Sequence, residues 1–324
     1  MRNKVKNIGW LVCIAFLYET ATSQDLPVIS EDFISVQCSD CELYGLITMP
    51  DSDSIDHVNT VVLFFSGRGP TDRDGNQVMM RTNSLRLLAY ELAARNIASV
   101  RFDKRGVGAS RAQPIPVEDI RMEHYIGDAM AWIKKLRQDK RFSRIILLGH
   151  GEGSLIALCA AADNKNVHGV ISIGGIGRTF DQVLKDEYSD QPFKIREIAY
   201  DIIETLHEGQ IVERVPVYLS ANFNLSIQPF IISSMQYNPQ AEARKLKVPF
   251  MVVQGEQDVE VVREDARLLA AAHGHAKLVT IPEMNHVMKV CRNDMEQIQT
   301  YANPIFPLNA DFVEEVAKFI KTGK

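Results

Sequence analysis

Basic residues never gather into a block longer than a pair such as Lys134-Lys135, and the formal net charge is −5, so the electrostatic footprint of a nucleic-acid binder is missing. Cysteine is scarce, five in 324 residues, too few for a scaffold built on disulfides. The eight histidines show no paired ligand spacing, and no metal is expected. Repeats and low-complexity tracts are also lacking. Long apolar runs are missing too: the stretch from Ile8 to Tyr18 is shorter than the roughly 20 residues a membrane span needs. It follows Arg2, Lys4 and Lys6 and precedes Ala21-Thr22-Ser23, small residues suited to cleavage before Gln24. Residues 1–23 are therefore expected to be a secretory signal peptide, with an anchor helix as the alternative. The implied destination is periplasmic or extracellular, with no stable membrane span after cleavage.

What is present is the composition of a globular protein, 46% hydrophobic and 24% charged, with length for one large α/β domain or two ordinary ones. Strand-like runs at 33–37, 43–49, 60–65, 98–102, 144–148, 167–173, 248–254 and 277–281 alternate, after the first two, with amphipathic segments near 84–95, 117–137, 153–163, 263–273 and 309–321. Such alternation predicts a mainly parallel sheet covered by helices on both faces. The stretch 177–245 interrupts it with helix-like apolar segments of its own, as an insertion forming a cap does. The expected organisation is a core over 24–176, a helical cap over 177–245 and the rest of the core over 246–324. Export would leave Cys38, Cys41, Cys159 and Cys291 in an oxidising compartment. Cys38 and Cys41 flank a turn that a small disulfide would brace, a redox pair being the alternative. Cys159 falls on an apolar helix face, and Cys291 stands as a structural or free thiol.

The run Ile145-Ile146-Leu147-Leu148-Gly149-His150-Gly151-Glu152-Gly153-Ser154 closes a buried strand and opens a helix. It has the form G-x-S-x-G, the sharp turn that lifts a nucleophilic serine above a sheet, with Gly151 in the serine's place. The same glycines match part of a dinucleotide loop, but that fingerprint belongs to a first strand–helix unit and needs an acidic residue ending the next strand. No cofactor is expected. Other motifs accompany the run: Ser66-Gly67-Arg68-Gly69-Pro70-Thr71-Asp72-Arg73-Asp74-Gly75-Asn76, Asp103-Lys104-Arg105-Gly106-Val107-Gly108-Ala109-Ser110, Gly255-Glu256-Gln257-Asp258 and Met284-Asn285-His286. Together they resemble the α/β-hydrolase fold family, and within it exported bacterial serine hydrolases related to the serine aminopeptidase group.

The resemblance implies an order of nucleophile, acid and histidine, which assigns Gly151 to the nucleophile position, Asp258 to the acid and His286 to the base. Glu260 is a nearby substitute for Asp258. It also implies an oxyanion hole of backbone amides from Gly67 and Arg68 together with that of Glu152. Arg68, where the family often has a small residue, either narrows the pocket, supplies charge or faces solvent. His150 is expected to be structural or pocket-lining, and the motif from Asp103 to Ser110 a turn scaffold. Ser154, three positions late, would lie within the helix, and Glu152 would place charge at the helix start. A water in the vacated space, with His286 as general base, is the remaining route to hydrolysis. Two functions follow: an ester or acyl hydrolase scaffold with conventional activity low or absent, or a non-catalytic pseudohydrolase binding a small acyl-bearing molecule. The cap residues Ile227, Pro229, Phe230, Ile231, Met235 and Tyr237 would line an apolar pocket or form the cap's own core. Oligomeric state is not legible.

Overall fold

The computed structural model describes residues 29–50, 58–112 and 116–324, so the expected signal peptide at 1–23 lies outside the described residues. In chain order the strands are β1 (Ser30–Gln37), β2 (Glu42–Met49), β3 (Thr60–Phe65), β4 (Ala98–Phe102), β5 (Arg144–His150), β6 (Gly169–Ile173), β7 (Phe250–Gly255) and β8 (Lys277–Ile281). The helices are α1 (Ser84–Ala93), α2 (Met122–Gln138), α3 (Glu152–Ala161), α4 (Phe180–Glu187), α5 (Phe193–His207), α6 (Ser220–Phe223), α7 (Gln228–Met235), α8 (Pro239–Lys245), α9 (Arg263–His273), α10 (Asp294–Ala302) and α11 (Ala310–Thr322). The strands form a single sheet in the order β1-β2-β4-β3-β5-β6-β7-β8. Only β2 runs against its neighbours, pairing antiparallel with β1 and β4, and all later pairings are parallel.

Strand β3 shows why the sheet is covered on both sides. Its six residues, Thr-Val-Val-Leu-Phe-Phe, are all buried, as a central parallel strand requires. Side chains alternate across the sheet. Val61, Leu63 and Phe65 pack with Trp132 and Leu136 of α2 and with Ala157 of α3, whereas Val62 and Phe64 pack with Leu88 and Leu92 of α1 and with Phe312 and Val316 of α11. Truncating a fully buried leucine such as Leu88 to alanine would cost about 2–5 kcal/mol.

Between β6 and β7 the chain leaves the sheet. Helices α4 to α7 share a separate apolar cluster that includes Leu184, Ile202, Ile203, Leu206 and Phe223. Arg178 anchors the root of this excursion, donating from Nε and Nη2 to Asp265 of α9 at 2.9 and 2.8 Å and pairing also with Asp186. Helix α8 returns to pack on α3 and α9.

Several boundaries differ from those the sequence suggests. Helix α2 begins at Met122, after a short 3₁₀ turn at Val117–Asp119 that follows Pro116. Strand β7 begins after Pro249, which contributes a carbonyl to the ladder but has no N–H. Helix α10 was not anticipated. Among the described residues no helix is long and apolar enough to cross a membrane.

Candidate active site

Strand β5 delivers the turn at 149–153 to the carboxyl edge of the sheet. Gly151 has φ 53° and ψ −119°, a strained region that glycine enters without a Cβ penalty. Its amide donates to Ile173 O at 3.0 Å, tying the turn to β6. The flanking glycines are dictated by close approach: a Cβ at Gly149 would lie 2.2 Å from Gly153 O, and one at Gly153 would lie 2.2 Å from Phe65 O. A Cβ at Gly151 would instead meet only ordinary contacts, 3.6 Å to His286 Nε2 and 3.7 Å to both Gly67 Cα and His286 Cε1. There is room for a side chain there, and it would face the imidazole.

The turn after β7 supplies Asp258. Its Oδ1 accepts the backbone N–H groups of Glu260 and Val261, each at 2.9 Å, which fixes the carboxylate and leaves Oδ2 for His286 Nδ1 at 2.9 Å. His286 comes from the loop after β8. That loop is held by Asn285, whose Nδ2 donates to Thr300 Oγ1 of α10 and whose Oδ1 accepts from Lys289 N. Burial disfavours charge on both partners, yet their mutual hydrogen bond and attraction prevail. His286 is raised above the ordinary imidazole range and Asp258 lowered below the usual carboxylate range.

His150 lies against this pair, its ring centroid 4.5 Å from that of His286, and donates from Nε2 to His286 O at 2.9 Å. Desolvation, then the charge of His286, pushes it down to about 3. It is a neutral strut that positions the His286 backbone.

The loop after β3 lies beside the turn. Neither the Arg68 amide nor the Glu152 amide donates to a protein acceptor among the described residues, which leaves both N–H groups free for a ligand oxygen. Lys104 joins the two halves of this arrangement. Its buried Nζ donates to Gly67 O at 2.5 Å, Gly69 O at 3.3 Å and Glu152 Oε1 at 3.0 Å. Sequence reasoning treated residues 103–110 as a turn scaffold and missed this clamp; the signal was a lysine two residues past a buried strand. The scaffold role holds for the rest of the motif, with Asp103 receiving Arg73 and the Ala109 amide, and Ser110 Oγ bonded to Asp103 O.

Each substitute nucleophile has a defined place. Ser154 Oγ donates to Gly149 O at 2.9 Å, inside its own turn and turned from the imidazole. The Glu152 carboxylate is paired with Lys104. Glu260 does not replace Asp258: its Oε2 lies 3.6 Å from His286 Nε2, on the opposite side of the ring. Arg68 extends over the Phe180 ring of α4 at 5.2 Å and meets Glu187 at 3.3 Å.

Between core and excursion lies a cleft of about 770 Å³ whose lining includes Arg68, Glu152, Tyr125, Phe180, Phe230 and Ile231. Of the other apolar residues named from sequence, Ile227 also lines it, Met235 packs into the excursion's own core, and Tyr237 faces a smaller cavity beside Glu152; Pro229 lines neither. A cavity of about 50 Å³ on the other side of the turn is lined by Gly67, His150, Glu260 and His286.

Cys38 and Cys41 are free thiols, so the expected disulfide is not formed. Their sulfurs lie within 4.8 Å of each other and of the Asp128 carboxylate, a grouping of metal-ligand type. Arg105 takes both oxygens of that carboxylate, at 2.5 and 2.6 Å, which already satisfies its charge.

Comparison with known proteins bears on the fold. A family model described as serine aminopeptidase, S33, matches residues 80–209. Esterase EstD of Thermotoga maritima is 23% identical over 287 residues, 86% of this chain and 66% of that protein, so the chain spans just under two thirds of that relative's length. Est1E from Butyrivibrio proteoclasticus superposes with a TM-score of 0.59 at 15% identity over 90% of this chain and 98% of its own. The Pyrococcus furiosus esterase Pf2001 does so with a TM-score of 0.59 at 16% identity over 90% and 91%. The mostly parallel eight-stranded sheet, the glycine turn ending β5 and the buried Asp258–His286 pair define an α/β-hydrolase fold. The chain therefore has the α/β-hydrolase fold and is similar over most of its length to these esterases.

Proposed function

We propose that this chain is an ester or acyl hydrolase scaffold that receives a small acyl-bearing molecule in the cleft beside Arg68 and Phe180, and whose conventional serine-type activity is low or absent. The observation that carries the reading is the geometry at Gly151. The backbone holds φ 53° and ψ −119°, and a Cβ would sit 3.6 Å from His286 Nε2. An ester carbonyl placed against the free Arg68 and Glu152 amides would meet an Asp258-oriented imidazole, but no hydroxyl on residue 151 to attack it. Without that oxygen no acyl-enzyme forms, and water must attack with His286 as general base. Removing a triad nucleophile costs on the order of a million-fold in turnover.

The apolar lining of Tyr125, Phe180, Ile227, Phe230 and Ile231 suits a hydrocarbon or aromatic acyl group. One of the structurally similar esterases, Est1E, has been solved with ferulic acid bound, an acyl compound of that kind. The second reading, a pseudohydrolase that binds without turnover, is favoured by the inward bond of Ser154 Oγ, which turns that hydroxyl away from His286 Nε2. Export to the periplasm or the medium rests on residues 1–23 alone. The test is covalent labelling by a serine-directed fluorophosphonate. Gly151→Ser should gain the adduct mass while the wild type does not, and a folded Gly151→Ser protein that fails to label would overturn the assignment of Gly151, Asp258 and His286.

A further inference from the structure

The turn that carries Asp258 also carries Glu260, and it wraps around His286. Asp258 Oδ2 meets Nδ1 at 2.9 Å on one side of the ring, while Glu260 Oε2 lies 3.6 Å from Nε2 on the other. Glu260 is held there from across the cavity: the Tyr301 hydroxyl of α10 donates to its Oε1 at 2.5 Å, and its own amide is bound by Asp258 Oδ1. The Nε2 face is where a side chain on residue 151 would arrive, since a Cβ there lies 3.6 Å from the same nitrogen. With glycine at 151, the carboxylate has that face to itself.

We propose that Glu260 is a positioning residue of this site, its carboxylate pairing as an ion with the Nε2–H that a serine hydroxyl would otherwise engage, so that His286 is bracketed by two carboxylates and held as an imidazolium. The remaining neighbours do not cancel this. His150 is neutral, Tyr301 is an un-ionised phenol, and the Arg68 guanidinium is committed to Phe180 and Glu187. The direction of the His286 shift agrees, with Asp258 and Glu260 both favouring charge. The consequence is a change of role: a serine enzyme needs Nε2 unprotonated to act as base, whereas this site keeps the proton in place. In this chain His286 stands ready as a hydrogen-bond donor to a ligand oxygen and is a poor base at neutral pH.

The inference rests on the reading that Gly151 and His286 form the site, and two measurements separate the two ideas. The first is an NMR titration of the His286 Cε1–H resonance, assigned by His286→Gln, in wild type and Glu260→Gln. Glu260 is half-exposed, so its loss should lower the His286 midpoint by about one pH unit, a tenfold change in proton affinity. A midpoint moved by less than about 0.3 unit overturns the proposal. The second is the pH dependence of p-nitrophenyl butyrate hydrolysis in Gly151→Ser with and without Glu260→Gln. The acid limb should move down by about one unit, raising the rate near pH 6 about tenfold relative to the alkaline plateau of the same variant. An unmoved limb contradicts the role of Glu260. Absence of any hydrolysis in folded Gly151→Ser contradicts the hydrolase reading instead, and the titration still decides Glu260.

Discussion

Lys104 is the buried cation on which the approach of the β3 loop to the elbow depends. Its side chain is 5% exposed, that of Glu152 is 10% exposed, and they meet at 3.0 Å. Replacing Lys104 with methionine keeps most of the volume but strands the Glu152 carboxylate and removes a donor from Gly67 O and Gly69 O. Breaking a buried pair by removing one partner costs about 3–5 kcal/mol. Thr71 Oγ1 still reaches Gly67 O at 3.4 Å, so one carbonyl keeps a weak donor and the lower half of that range is expected. At roughly 2–4 °C per kcal/mol for a domain of this size, the midpoint should fall about 6–16 °C. Differential scanning calorimetry with urea unfolding measures this, and a second substitution isolates the cause. Glu152→Gln removes the stranded charge, so Lys104→Met/Glu152→Gln should recover about 1–2 kcal/mol relative to Lys104→Met alone. A Lys104→Met protein within about 1 kcal/mol of wild type, or a double variant no more stable than the single, would refute the clamp.

The two adjacent histidines shape stability in opposite directions. His150 is pushed down to about 3, so between the ordinary imidazole value and that point the unfolded chain takes a proton the folded chain refuses, and stability falls as pH drops. His150→Gln should remove up to one proton from that limb, roughly 1.4 kcal/mol per pH unit, in urea unfolding between pH 6 and 4; an unchanged slope refutes it. His286 is raised, so its contribution is fully present below its unfolded value and fades as pH rises through the folded one. His286→Gln should flatten the decline above pH 6.5, and equal alkaline slopes would count against the pairing. Burial raises Cys38 and Cys41 above the ordinary thiol range. Ellman's reagent at pH 8 should leave both unmodified in the native protein and label them in urea, whereas rapid native labelling, or two fewer thiols in urea, would contradict the buried free pair.

The scaffold was legible where apolar runs are short and sharply bounded. Residues 60–65, 98–102 and 277–281 form β3, β4 and β8, and 263–273 forms α9, as their patterns suggested. Helix α10 escaped because Asp-Met-Glu-Gln-Ile-Gln-Thr-Tyr-Ala has no continuous apolar stripe and buries only Thr300. The loss matters, since α10 supplies Tyr301 and so fixes Glu260. Asp258 and His286 could be named from fold order because each follows a strand at a set place. The clamp at Lys104 could not, and Glu260 was named only as a stand-in for Asp258, since their partners lie 48 and 26 residues away and local patterns carry no such pairing. The thiols misled for a similar reason: a C-x-x-C turn suggests a disulfide, yet Arg105 and Asp128 arrive from elsewhere to pack against it.

The central proposal is that this chain keeps the frame of a serine hydrolase without the attacking oxygen at residue 151. Its most direct test is p-nitrophenyl butyrate hydrolysis by wild type, Gly151→Ser and Gly151→Ser/His286→Ala. Serine at φ 53° costs about 1–3 kcal/mol of backbone strain, which a domain of this size tolerates. Wild type should run near the buffer rate, Gly151→Ser at least about a thousand-fold faster, and the double variant back near wild type. A folded Gly151→Ser protein with no gain, or a wild type already hydrolysing at the rate of Gly151→Ser, would contradict the account.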